Sequence, residues 1–167
     1  MPIRDTLLID MTKGWSTHMP VLIKLFNKTK GPIMEIGGGV YSTPLLHWLC
    51  SDTKRKLVTY ENDKNFIQFA KQYVARYHSI RLVDNFLSIP NTDRYSIIFI
   101  DHNGHERGKT AVHFKNSADY VVIHDSNVIE KNMYQIAFPQ FKYRKDYDRC
   151  KPWTTVLSNF KKLDNLW

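Results

Sequence analysis

Five carboxylates, Glu35, Glu61, Asp84, Asp101 and Asp125, each follow or close a short apolar run, and the first leads directly into Gly37-Gly38-Gly39. Glycines in such a loop permit positive φ and let a ligand approach the main chain where a Cβ would block it. Carboxylates at the ends of apolar runs accept hydrogen bonds from hydroxyl and amino groups. Together these residue types suit the capture of a nucleotide-like cofactor. Glu61 follows Gly39 by 22 residues, close to the spacing at which an acidic side chain accepts from ribose hydroxyls. The third glycine of a dinucleotide fingerprint is replaced by Ser42, which argues against NAD. Ser42 reads equally as a cap of the helix it opens.

These residues must be held by a regular scaffold. His18–Lys28 carries Leu22, Leu25 and Phe26 on one helical face ahead of Gly31-Pro32. Ile33–Ile36 reads as a buried strand, Thr43–Ser51 as a helix, and Lys56–Glu61 as a second strand. Phe66, Ala70, Tyr73 and Tyr77 recur at helical spacing behind Asn62 or Asp63, either suited to an N-cap. Ile80–Val83 is a third strand. Tyr95–Asp101 and Tyr120–Asp125 are nearly continuous apolar runs, as in central parallel strands covered on both faces. Glu106–Lys115 between them is helical. Phe141–Tyr147 and Trp153–Ser158 then form a closing antiparallel pair. The prediction is an α/β, Rossmann-like, doubly wound and mostly parallel seven-stranded sheet. Residues 1–167 make one domain: a helical segment over 1–30, a cofactor-binding core over 31–135 and a terminal hairpin over 136–167.

The Glu35-x-Gly37-x-Gly39 run, with the acidic strand ends in order over roughly residues 31–125, resembles motif I and its partners in class I S-adenosylmethionine (SAM)-dependent methyltransferases. The resemblance implies SAM as cofactor. It assigns the ligand's ammonium to Glu35, its carboxylate to the amides of Gly37, Gly38 and Gly39, and its ribose to Glu61 and Asn62. Asp84, Asn85 and Phe86 would bind and cover adenine, although they read equally as a turn with a core Phe. Trp15, His18 and Met19 either fold over the cofactor or are ordinary packing.

Phe99-Ile100-Asp101-His102 and His124-Asp125-Ser126-Asn127 are also similar to the metal-binding segments of catechol-type O-methyltransferases. That likeness implies Mg²⁺ on Asp101, Asp125 and Asn127, with Ser126 standing where the family has Asn. Magnesium needs one or two carboxylates and would orient an acceptor's oxygens. Gly104 takes the place of the family's lysine base. His105 is then the candidate base, with Asp101 and Asp125 as the other catalytic groups, because a loop imidazole titrates near neutral pH. His102, His113 and His124 lie close by in sequence; each reads also as a polar group satisfied locally, and a zinc site from His102, His105 and His124 has no thiolate beside it.

The function these features imply is a SAM-dependent methyltransferase (EC 2.1.1.-) acting on an oxygen, or secondarily a nitrogen, of a small-molecule acceptor. Two alternatives stay open: methylation of RNA or DNA, and a non-catalytic SAM-binding regulatory or partner subunit. The net charge of +8 favours anionic partners, but the basic residues are scattered and read equally as solvated faces. Asp101-His102-Asn103-Gly104 is not the Asn/Asp-Pro-Pro-aromatic motif of exocyclic-amine methylation. No apolar run is long enough to span a bilayer, and Met1–Lys13 lacks a signal-peptide pattern, so a cytoplasmic location is expected. Cys50 and Cys150 read as free thiols, and the oligomeric state is open.

Overall fold

The computed structural model describes residues 14–167; the reading of Met1–Lys13 lies outside the described residues. The strands are β1 (Ile33–Ile36), β2 (Leu57–Glu61), β3 (His78–Leu82), β4 (Tyr95–Ile100), β5 (Ala118–His124), β6 (Tyr143–Tyr147) and β7 (Thr154–Ser158). They form one sheet in the order β3-β2-β1-β4-β5-β7-β6, parallel from β3 to β5 and antiparallel at both β5–β7 and β7–β6. The helices are α1 (Met19–Lys28), α2 (Ser42–Thr53), α3 (Lys64–Ala70), α4 (Arg107–His113) and the single turn α5 (Tyr134–Ala137). The predicted seven-stranded, doubly wound sheet is therefore present.

Side chains of successive strand residues point to opposite faces, and two cores result. Ile33, Ile97, Phe99, Val122 and Val156 meet Leu22, Leu25 and Phe26 of α1 and Leu46 of α2. Met34, Ile36, Ile98, Ile100, Val121 and Ile123 pack on the other face with Phe114 and Tyr134. Burial on both faces explains why β1 and β4 read as unbroken apolar runs. Glu35 shares the face of Ile33 and is the exception, a carboxylate with no exposure inside a central strand.

Arg55, one of the residues that read as scattered surface charge, is buried instead. Its guanidinium donates to the carbonyls of Phe26, Thr29 and Gly31 and to Ser96 Oγ, and stacks 4.2 Å from the Phe26 ring. It ties the end of α1 to the starts of β1 and β4, satisfying carbonyls that would otherwise be orphaned.

The third helix is shorter than its periodicity predicts. Asp63 caps it, accepting from the amides of Asn65 and Phe66, but α3 ends at Ala70 and tightens into a 3₁₀ turn over Lys71–Tyr73. Tyr77 lies beyond it, where its carbonyl accepts from Leu57 N at 2.7 Å. Pairing with β2 outcompetes one more helical turn, a tertiary override of local propensity.

Candidate functional site

Strand order reverses between β1 and β4, and in open α/β sheets ligands bind beyond the carboxyl ends of the strands at such a point. A cavity of about 290 Å³ lies there. Gly38, Gly39 and Ser42 wall one side with Glu61, while Asp101, Arg107, His124 and Asp125 wall the other. Trp15, His18, Phe66 and Pro152 complete its lining.

The glycine loop is held from beneath. Glu35 Oε2 accepts from Thr43 Oγ1 at 2.9 Å and Thr59 Oγ1 at 2.6 Å, and Thr43 Oγ1 in turn accepts from Gly39 N at 2.9 Å. Gly37 has φ +94°, and a Cβ there would stand 2.4 Å from the His102 backbone nitrogen. Only glycine lets the first loop pass so close to the segment after β4. Glu61 accepts from Gly38 N at 2.6 Å and from the amides of Asn62 and Asp63 at 2.7 Å each. A carboxylate offers about four lone-pair sites, so one stays available on the cavity side. Burial, opposed by those amides, pushes the Glu61 carboxyl upward.

The opposite wall is an ion network. Arg107 sits at the start of α4, where Gly108 N donates to Asn132 O at 2.8 Å and a Cβ on Gly108 would overlap Met133 O. Its guanidinium reaches Asp101 Oδ1 at 3.0 Å and Asp125 Oδ2 at 2.6 Å, and its Nε donates to His102 O at 2.7 Å. His124 Nδ1 lies 3.1 Å from Asp101 Oδ2, and His124 Nε2 lies 2.9 Å from Thr17 Oγ1. Burial alone would raise Asp101, but His124, Arg107 and His18 hold it below the usual carboxylate range. Burial would lower His124, and Asp101 outweighs that, so His124 is raised. His18 is 1% exposed with neither ring nitrogen bonded among the described residues, and its Nδ1 stands 4.0 Å from Asp101 Oδ2. Burial first, then the charges of His124 and Arg107 against that of Asp101, push it down to about 3. Asp125 itself has φ +52°, an unusual backbone for a non-glycine residue and one that clusters at functional sites.

Of the residues expected at the site, Gly38, Gly39, Ser42, Glu61, Asp101 and Asp125 face this cavity. Glu35 and Gly37 support it from below. Ser42 is the first residue of α2 rather than its cap, which is Tyr41. Asp84 and Asn85 are exposed, and Asn85 accepts from Leu87 N to start a 3₁₀ turn, so the alternative reading as a turn describes them. Phe86 is buried against His102, 4.4 Å between ring centres. Asn62 is exposed and contributes its backbone amide to Glu61.

The structure carries His105 away from the cavity, because the loop turns outward at Gly104, φ +102°. His102 bonds Thr110 and the Asn103 carbonyl, and His113 bonds the Ile89 carbonyl, so the histidines near His105 are satisfied locally. His102, His105 and His124 thus do not converge on a zinc site. Sequence reasoning missed Arg107, whose only signal was a lone arginine six residues after Asp101; of Trp15, His18 and Met19, which read either as a cover for the cofactor or as packing, Trp15 and His18 line the cavity.

The residues present do not fit a magnesium site on Asp101, Asp125 and Asn127. The Arg107 guanidinium already stands between the two carboxylates, and Asn127 Oδ1 accepts from Trp153 N at 2.8 Å. Fixed positive charge takes the place a divalent cation would need.

Glu35 makes the loop pH-sensitive. Burial raises its carboxyl to about 7, against the lowering effect of Ser42, Thr59 and Thr43 hydroxyls, and Oε1 has no hydrogen-bond partner among the described residues. The folded chain then holds a proton that the unfolded chain releases above its ordinary value, so this contribution is full at low pH and is lost as pH rises to about 7. Glu35→Gln is expected to exceed the natural chain in stability at pH 8 by at most about 3 kcal/mol, with the gap closing towards pH 5. Urea unfolding at both pH values checks this; a gap that does not change with pH refutes it.

No protein-family model matches the sequence, and no curated protein matches it. Solved structures do. The SAH-bound methyltransferase PaMTH1 of Podospora anserina is 12% identical over 87% of this chain and 78% of its own, with a TM-score of 0.68. TomG of Streptomyces achromogenes, an O-methyltransferase involved in tomaymycin synthesis and in complex with SAM, is 18% identical over 83% and 76%, TM-score 0.60. The precorrin-6y C5,15-methyltransferase of Geobacter metallireducens is 11% identical over 83% and 86%, TM-score 0.59. In its strand order, closing antiparallel pair and switch-point cavity, the chain has the Rossmann-like methyltransferase fold.

Proposed function

We propose that the switch-point cavity binds SAM and that the chain transfers the methyl group to an oxygen of a small-molecule acceptor. The observation that carries this reading is the Glu61 carboxylate, anchored by three backbone amides beside Gly38 at the end of β2, facing a charged wall across one cavity. Glu61 would accept from the ribose hydroxyls, and the open main chain at Gly38 and Gly39 would admit the rest of the cofactor. The SAH and SAM complexes of PaMTH1 and TomG support the assignment. Bound SAM supplies a methyl group already activated on a sulfonium, so the protein's task is alignment.

Asp101, with His124 and Arg107 neutralising it, marks the acceptor side. Methylating a hydroxyl releases one proton, and an oxygen that has gained a methyl is strongly acidic. A weak base therefore suffices to receive that proton. His18 fits: it is uncharged at neutral pH, lines the cavity, has no competing hydrogen bond among the described residues, and stands near enough to Asp101 for the imidazolium to be paired once formed. His18 takes the role expected of His105.

Titration calorimetry with SAM tests binding, and formation of S-adenosylhomocysteine on incubation with metabolite extracts tests transfer. Binding with turnover that falls at least tenfold in His18→Ala, while SAM affinity is kept, supports the reading. No heat at millimolar SAM sinks it. Binding without any turnover across extracts points to the regulatory subunit instead.

A further inference from the structure

A cavity larger than the one at the switch point lies elsewhere. Of about 520 Å³, it opens at the amino ends of β1, β2 and β4, away from the carboxyl edge that carries the switch-point site. Its origin lies in the connection from β3 to β4. Residues 83–94 contain a 3₁₀ turn over Phe86–Ser88 and no α-helix, so the sheet face beside Val58, Tyr60 and Arg81 lines a trough. A second cavity of about 340 Å³ shares Pro32, Arg94 and Tyr95 with it and extends it towards the end of α1.

Charge gathers here. Lys56, Arg76, Arg81 and Arg94 border the first cavity against the single carboxylate Asp93. Lys28, Lys30 and Lys161 border the extension against Asp119, already paired with Arg94 at 2.7 Å. The cations that looked scattered along the chain are, for these seven, on one continuous surface. Lysines alone would suit any polyanion. The arginines narrow the choice, because each pairs with a ring: Arg76 lies over Tyr77 at 5.5 Å and Arg81 over Tyr60 at 5.7 Å, with Arg81 also donating to the Tyr60 hydroxyl. Tyr77 and Tyr95 are half-buried on the trough wall. Planar guanidinium and phenol faces beside a row of cations are the elements that hold unpaired bases by stacking and their phosphates by charge. A duplex keeps its bases inside the stack and could use only the charge.

We propose that this trough, between the amino ends of β1, β2 and β4 and the arginines of β3 and its approach, binds single-stranded nucleic acid. The inference is independent of the cofactor site, and so is its test. Fluorescence anisotropy with a labelled 12-nucleotide oligouridylate, the matching oligothymidylate and a 12-base-pair duplex is read between 50 and 200 mM KCl. With three to four phosphates engaged, affinity for the single strands should fall about thirtyfold over that range, at a slope of about 0.7 per phosphate. The duplex should bind at least tenfold more weakly than the single strands. Arg76→Glu with Arg81→Glu should weaken single-strand binding at least tenfold and flatten the salt slope. Tyr77→Ala should weaken binding several-fold and leave the slope unchanged, which a purely electrostatic surface would not show. Arg76 and Arg81 are exposed, and a melting curve confirms that the variants fold. The proposal is overturned if the double charge reversal leaves affinity within twofold, if the duplex binds as tightly as the single strands, or if inorganic pyrophosphate displaces the strand as well as unlabelled oligonucleotide does.

Discussion

Arg107→Ala is expected to be the most damaging single change at the charged wall, lowering stability by about 3 kcal/mol and the melting temperature by roughly 10 °C. The guanidinium is nine-tenths buried and touches both Asp101 and Asp125. Burial would lower its own ionisation, yet Asp101, Tyr134 and Asp125 raise it, so it is charged at any working pH. Removing it leaves two carboxylates facing each other beside His124 and His18. Asp101 keeps 20% exposure, which places the loss at the lower end of what breaking a buried pair costs. The pH dependence gives the prediction its sign. In the natural chain Asp101 is depressed, so its contribution is present above the ordinary carboxylate range and lost as pH falls through the folded value. Without Arg107 that carboxyl rises, and protonation relieves the repulsion. The deficit should therefore be largest near pH 8 and shrink towards pH 4. Melting curves across that range read it directly, and a deficit independent of pH would show that Arg107 acts by packing alone. Arg107→Lys should recover only part of the loss: one nitrogen, Nη1, meets both carboxylates and an ammonium could replace it, but the Nε bond to the His102 carbonyl would go.

Glu61→Ala should weaken SAM binding at least tenfold. A ribose hydroxyl donating to the one remaining site of this carboxylate contributes about 1.5 kcal/mol or more, and 1.4 kcal/mol is tenfold in affinity. The same change frees the amides of Gly38, Asn62 and Asp63, which loosens the loop that must meet the ligand. Glu61→Gln separates the two effects: one amide oxygen can still accept from the backbone, but the negative charge is gone. Calorimetry should place it between the natural chain and Glu61→Ala. Equal affinities in all three proteins would remove the ribose role and with it the principal support for a nucleoside ligand in this cavity.

Much of the scaffold was legible because its signals are local. Ile33–Ile36, Tyr95–Asp101 and Tyr120–Asp125 announce themselves as strands by their nearly continuous apolar residues, since a parallel strand buried on both faces needs no alternation. Gly37, Gly38, Gly39 and Glu61 were legible for the same reason: a strand end, a glycine turn and the return to the next strand end are separated by one helix of predictable length. The length of α3 was not, because the hydrogen bond of Tyr77 to β2 is a contact across the fold.

The chemistry of the wall belongs to tertiary structure. His18, Asp101, Arg107, His124 and Asp125 come from four separate segments, and what each does depends on which charges the fold sets beside it. Residue type identified Asp101 and Asp125 as carboxylates near strand ends; only the fold supplied Arg107 between them, turned Asn127 towards Trp153, and swung His105 outward while bringing His18 in. The trough at the amino edge is the same lesson for charge. Composition determined that this chain is basic and would be drawn to anions, whereas the missing helix between β3 and β4 decided where those charges meet, because electrostatic attraction and stacking act through space and not along the chain.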